Sequence, residues 1–188
     1  MPRTKVFGIG FHKTGTKSLA AALRQLGYRT TGPNGTRDPT IRDTYLKLAV
    51  ELSGQYDAFQ DNPWPLVYRG MDALHRGSKF ILTVRPVAEW IGAAIRHFGL
   101  NATPMRELVY GYGSPAGHEE HYCRVYQQHI DGVLHYFRHR PDDLLVMRIT
   151  EGDGWDKLCP FLGRANSLRP FPHARPSPQA SKPLSAGT

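Results

Sequence analysis

Three phosphate-seeking features share one turn near the start of the chain. Lys13 and Lys17 supply positive charge, Thr14, Thr16 and Ser18 supply hydroxyls, and Gly10 and Gly15 let the backbone turn. Glycines in such a loop let successive N–H groups face inward, and a helix beginning just after it adds partial positive charge. Together these residues point to a phosphorylated ligand. The usual P-loop reads G-x-x-x-x-G-K-[ST], with its Lys reaching the β- and γ-phosphates. Gly10 and Gly15 have that spacing, but Thr16 stands where the Lys belongs. Lys17-Ser18 arrive one residue late, and Lys13 lies before the second glycine, so a nucleoside triphosphatase fits poorly.

The elements that must position this turn are legible around it. Residues 5–9 read as a strand, and residues 16–26 as a helix with Gly27 placed to stop it. Residues 28–31 read as a second short strand, 40–52 as a helix and 56–60 as another short strand. Asn62 reads as a helix cap with Pro63 in the first turn. The run Phe80-Ile-Leu-Thr-Val84 reads as a central parallel strand, being continuously apolar. Residues 88–98 and 118–138 read as helices, 99–117 as irregular, 144–149 as a buried strand and 155–162 as a last short helix. Strands separated by helices predict an α/β three-layer sandwich with a mainly parallel central sheet and a P-loop-like phosphate-binding loop. Ligands of such sheets sit at the carboxyl ends of strands. The Gly10–Ser18 loop, Asp61 and Arg85 all fall at such ends.

The motifs resemble those of sulfotransferases that use PAPS (3′-phosphoadenosine 5′-phosphosulfate), in particular a short bacterial-type branch. Phe11-His-Lys-Thr-Gly-Thr-Lys-Ser-Leu19 is similar to the family's phosphosulfate loop. Phe80-Ile-Leu-Thr-Val-Arg85, followed by Glu89-Trp90, resembles its 3′-phosphate element. A third patch runs from Arg140-Pro-Asp-Asp through Gly152-Asp-Gly-Trp to Phe171-Pro-His173. The resemblance implies transfer of a sulfuryl group from PAPS to a hydroxyl or amine of a small-molecule acceptor, releasing PAP. It implies binding of the co-substrate by His12, Lys13, Thr14, Gly15, Thr16, Lys17, Ser18, Arg85 and the position of Ala93, with no metal required. Ala93 departs from the family, which has Ser there. Losing one hydrogen bond to a charged group costs about 1.5–3 kcal/mol. Arg96, one turn on, offers a substitute charge, or is a solvated helix residue.

Catalysis of that kind rests on positioning and charge stabilisation. Lys13 is the candidate for the bridging oxygen and Asp61 the candidate general base, with capping of the next helix or pairing with an Arg as its structural alternative. His118 and His121 lack the H-E-x-x-H pattern and a third ligand, so they read as solvated or capping groups. Trp64, Tyr68, Trp90, Tyr110 and Tyr112 read either as core or as a lining for adenine or acceptor. A divergent P-loop kinase or hydrolase, and a catalytically silent nucleotide-binding protein, stay open as other readings.

The bulk numbers agree with a globular enzyme. The chain has 188 residues, 40% hydrophobic and 21% charged, enough for one substantial domain. That domain is expected over residues 1–174, with a Pro- and Ser-rich disordered tail over 175–188. The net charge of +8 suits a small polyanion. Its scattered distribution, with no nucleic-acid motif, argues against nucleic acid. No apolar run approaches the roughly 20 residues of a membrane helix. Two cysteines, Cys123 and Cys159, make no disulfide framework. The expected location is the cytoplasm. No heptad or apolar stripe sets an oligomeric state.

Overall fold

Alternate residues of each strand serve opposite faces of one sheet, which is why consecutive residues here belong to different cores. In the computed structural model, which describes residues 4–173, five parallel strands run in the order β2-β3-β1-β4-β5. They are β1 (Val6–Gly8), β2 (Thr30–Thr31), β3 (Ala58–Phe59), β4 (Lys79–Thr83) and β5 (Leu144–Met147). The helices are α1 (Thr16–Gln25), α2 (Ile41–Gln55), α3 (Trp64–Leu74), α4 (Val87–Phe98), α5 (Pro104–Tyr110), α6 (Glu119–Phe137) and α7 (Trp155–Phe161). Phe7, Phe59, Phe80 and Leu82 pack on one face against Trp64, Val67 and Met71 of α3 and Val133 and Phe137 of α6. Val6, Ala58, Ile81 and Met147 pack on the other against Leu19 and Leu23 of α1 and Trp155 and Leu158 of α7. The three-layer α/β sandwich is therefore as the periodicity implies.

A third cluster, Phe11, Trp90, Tyr110, Tyr122 and Tyr126, lies under the loop that leaves β1. Trp90 stacks on Tyr126 with centroids 4.1 Å apart, and Tyr110 on Tyr122 at 4.0 Å. This cluster anchors α4, α5 and α6 to the loop.

Two readings of local structure are corrected. The stretch 99–117 is not irregular throughout. Thr103 caps α5 by accepting the Arg106 N–H at 3.2 Å, Pro104 occupies the first turn, and Met105 and Tyr110 are buried. Asn62 does not cap the next helix. Pro63 occupies the N-cap position of α3, which shows no side-chain cap, and Pro65 is the proline in its first turn. The Asp61 carboxylate instead takes the Asn62 N–H at 2.8 Å. The tail reading for 175–188 lies outside the described residues. No described helix is long and apolar enough to cross a membrane.

Candidate active site

The loop after β1 is held from below before it can hold anything above. Thr14 turns its hydroxyl inward, donating to the Phe11 carbonyl at 2.6 Å and meeting the Thr83 hydroxyl at 2.6 Å. Trp90 donates its indole N–H to the His12 carbonyl at 2.9 Å. His129 donates to the Ile9 carbonyl at 2.7 Å and stacks on Phe11. Gly10 passes so close to Thr83 that a Cβ there would collide with its backbone. Between these anchors the chain turns through two left-handed residues, Lys13 at φ 66° and Gly15 at φ 99°. The first bond of α1 runs from Leu19 N–H to the Gly15 carbonyl, so the N–H groups of Thr16 and Lys17 precede it. They face where an anion is favoured.

A cleft of about 500 Å³ opens over this turn along the carboxyl ends of the strands. His12, Lys13, Gly15, Thr16, Lys17 and Ser18 form its floor. Arg85, at the end of β4, enters from one side with Ile149, Thr150 and His173. Asp61, at the end of β3, enters from the other with Asn62, Pro33 and Thr36. Phe98, His97, Met105 and Arg106 complete the wall. Lys13, Lys17, Arg85 and Arg106 are its Lys and Arg residues, and Asp61 is the one acid among the described lining residues.

The charges are under tension. Burial, then the positive charges of Lys17 and Arg85, hold the Lys13 ammonium below its ordinary pKa. An incoming anion relieves that repulsion. Asp61 is 8% exposed, and burial pushes its carboxyl pKa up, only partly opposed by the Asn62 N–H and by the Thr16 hydroxyl, which donates to it at 3.0 Å. A carboxyl raised in this way is a stronger proton acceptor once ionised. Its backbone, at φ 63°, is left-handed, an uncommon conformation outside glycine. His12 is buried, with only an edge at the cleft floor. Burial, followed by the charges of Arg106 and Lys13, drives it down to about pH 3, so it stays neutral. One ring nitrogen meets the Tyr110 hydroxyl at 2.9 Å, and Nδ1 is buried without a partner among the described residues.

Arg85 is aimed by two contacts. Its Nε donates to Glu89 at 3.1 Å, and the Tyr126 hydroxyl accepts from its backbone N–H and donates to its carbonyl, both at 2.9 Å. Of the residues expected to meet the co-substrate, Thr14 and Ala93 do not reach the cleft wall with their side chains. Thr14 can offer only its backbone. Ala93 is buried on α4 at 7% exposure. Arg96 is exposed, although its charge is felt at Lys13. Trp64, Trp90 and Tyr110 are core, Tyr68 is nearly so, and Tyr112 stacks on His118 outside the cleft.

Sequence reasoning missed Arg106, His97, Phe98 and Met105. The signal for α5 was present in Thr103-Pro104, a cap followed by a first-turn proline. The signal for His97 and Phe98 was their place in the last turn of α4, next to the loop. His173 stood inside a quoted motif without a role.

Among solved structures, the sulfotransferase from Alicyclobacillus acidocaldarius has the same fold. It superposes with a TM-score of 0.56, over 95% of this chain and 88% of that one, at 16% identity. No curated protein matches the sequence. The model of the family described as "Sulfotransferase domain" matches residues 5–105 and 95–179, nearly the whole chain, including the strand, loop and helix that floor the cleft: the chain belongs to the sulfotransferase domain family.

Proposed function

We propose that this protein is a PAPS-dependent sulfotransferase that acts in the cytoplasm on a hydroxyl or amine of a small-molecule acceptor and releases PAP. One observation carries the reading: a single cleft joins the turn of Lys13 to Ser18, Arg85 on the adjacent strand end, and one carboxylate, Asp61. The turn takes the 5′-phosphosulfate on the N–H groups ahead of Leu19. Arg85 takes the 3′-phosphate, and Ala93 offers it no hydroxyl. The cations already present neutralise the phosphosulfate, so the reading calls for no metal.

The step balances within this cleft. The acceptor oxygen or nitrogen attacks sulfur in line. The bond from sulfur to the bridging phosphate oxygen breaks, and its electron pair stays on that oxygen as part of PAP. Lys13 stabilises the charge that grows there. The acceptor proton passes to Asp61, whose hydrogen bond from Thr16 ties the base to the phosphate-binding turn.

Thermal unfolding with PAP, PAPS, AMP, and ATP with Mg²⁺ tests the donor. A ligand that binds only the folded state raises its apparent stability. PAP and PAPS are expected to stabilise more than AMP, because the 3′-phosphate adds a contact to Arg85. Stabilisation by ATP with Mg²⁺ alone would move the protein to the kinase or hydrolase reading. Stabilisation by PAPS without PAP release from any acceptor would move it to the silent nucleotide-binding reading.

A further inference from the structure

The cleft reaches two sides of the sheet in two arms, and on the proposed reading the nucleotide takes the one with Arg85. On the β4 and β5 side stand Arg85, Ile149 and Thr150. On the β3 and β2 side stand Asp61, Pro33 and Thr36. Helix α5 closes this second arm: it packs on α2, and Glu107 lies 4.0 Å from Arg42 of α2. It brings Met105 and Arg106 to the wall beside Phe98.

Arg106 is unusual there. It is 4% exposed, and no described carboxylate pairs with it. Its Nε donates to the Gly113 carbonyl at 2.9 Å and its Nη2 to the Asn101 carbonyl, while its guanidinium covers the Phe98 ring with the centroid 4.3 Å away. Those bonds fix the fork but bring no negative charge, and Nη1 has no protein partner among the described residues. A buried cation is costly unless paired. Burial accordingly lowers its pKa. Phe98, under its guanidinium, and Met105, its chain neighbour, give the wall beside it apolar surface.

Resting on the sulfuryl-transfer reading, we propose that Arg106 is the acceptor-recognition residue, and that the acceptor is a hydroxy acid: an apolar body against Phe98 and Met105, a carboxylate on Arg106, and its hydroxyl at Asp61. A carboxylate suits the site better than a phosphate. One fixed guanidinium with part of its fork already used balances one negative charge, in the planar geometry it prefers.

The test is binding to the PAP-loaded protein, which needs no turnover. Vanillate is compared with methyl vanillate, and mandelate with methyl mandelate, by thermal shift and calorimetry. Glycerol phosphate serves as the dianionic probe. The acids are expected to bind about ten- to a hundred-fold tighter than their esters, as a charged hydrogen bond would give. Arg106→Gln should erase that preference while the shift caused by PAP persists. Arg106→Lys, which keeps the charge if the glutamine variant does not fold, should retain part of it. Esters binding as well as acids, an acid preference that survives Arg106→Gln, tighter binding of glycerol phosphate, or no binding by either series overturns the proposal. Loss of the PAP shift in Arg106→Lys also overturns it, since Arg106 then serves the nucleotide. If PAP fails to stabilise the wild type, the donor reading fails separately, and the acid-to-ester comparison on the free protein still judges Arg106.

Discussion

Lys13 and Asp61 carry opposite burdens in one cleft. Lys13 is a cation held among cations, so its charge is most valuable when an anion arrives or develops beside it. Lys13→Ala is expected to lower kcat by about 10²–10³, the usual cost of removing a group that stabilises developing charge. Single-turnover rates with saturating PAPS measure it. Asp61→Asn is expected to lower turnover by about 10²–10⁴, the range for a general base. Its effect on stability has the other sign. Burial raises the folded-state pKa of Asp61 above its ordinary 3.8. Such a group stabilises the fold fully below its unfolded pKa, and that contribution is lost as pH rises through the folded value. Above that window Asp61→Asn should therefore be at least as stable as wild type, with the difference closing in acid. Melting curves across pH read it directly. A gain in stability on removing this buried carboxyl is what a group kept for function against the fold's preference would show.

At the scale of elements, the site depends on how short pieces are held. The β1–α1 turn is shaped from beneath by Thr14, Thr83, Trp90 and His129, three of which come from distant elements. Helix α5 has only seven residues, too few to be stable alone. It persists through the Thr103 cap and through Met105 and Tyr110, both buried. Thr103→Ala is expected to cost about 0.5–2 kcal/mol, the range for a lost N-cap. Because the cap receives the N–H of Arg106 itself, the loss should appear also as weaker acceptor binding with PAP binding retained. Denaturant melts and calorimetry separate the two effects. Strand β4 was readable as a continuous apolar run, and helices α4 and α6 by a sustained period. Helix α5 was not, since seven residues inside a Gly-rich stretch carry too little periodicity.

The whole molecule has an acid limit built around two enclosed histidines. Burial, with neighbouring charges for His12, depresses His12 to about 3 and His129 to about 4, against 6.5 for a free ring. A depressed folded pKa contributes stability above the unfolded value that is lost as pH falls through the folded one. Stability should therefore decline from about pH 6.5 down to about 3–4, with the turn of Phe11 to Lys13 loosening in step, because the His12 ring ties that turn to Tyr110 and the His129 ring stacks on Phe11. His129→Gln should flatten that decline, as read by urea midpoints across the same range. The Gln is expected to lower stability at neutral pH, since the stacking on Phe11 goes with the ring.

What the sequence determined by itself was local: a Gly-containing turn rich in lysines and hydroxyls, an apolar central strand, and an arginine at that strand's end. Those are properties of contiguous residues, because a turn's backbone N–H groups and a helix N-terminus are arranged by their own few residues. The α/β order followed from the same periodicities. Tertiary structure alone decided which groups share the cleft and in what state. Thr16 and Asp61 meet across 45 positions, and His12 and Tyr110 across 98. Whether a carboxyl is raised, a histidine silenced or an arginine left without a carboxylate among the described residues depends on burial by elements far away in the chain. So Lys13 could be read as chemistry from its neighbours, while Arg106, an ordinary charged residue in a short helix, became a recognition group only once the fold had enclosed it.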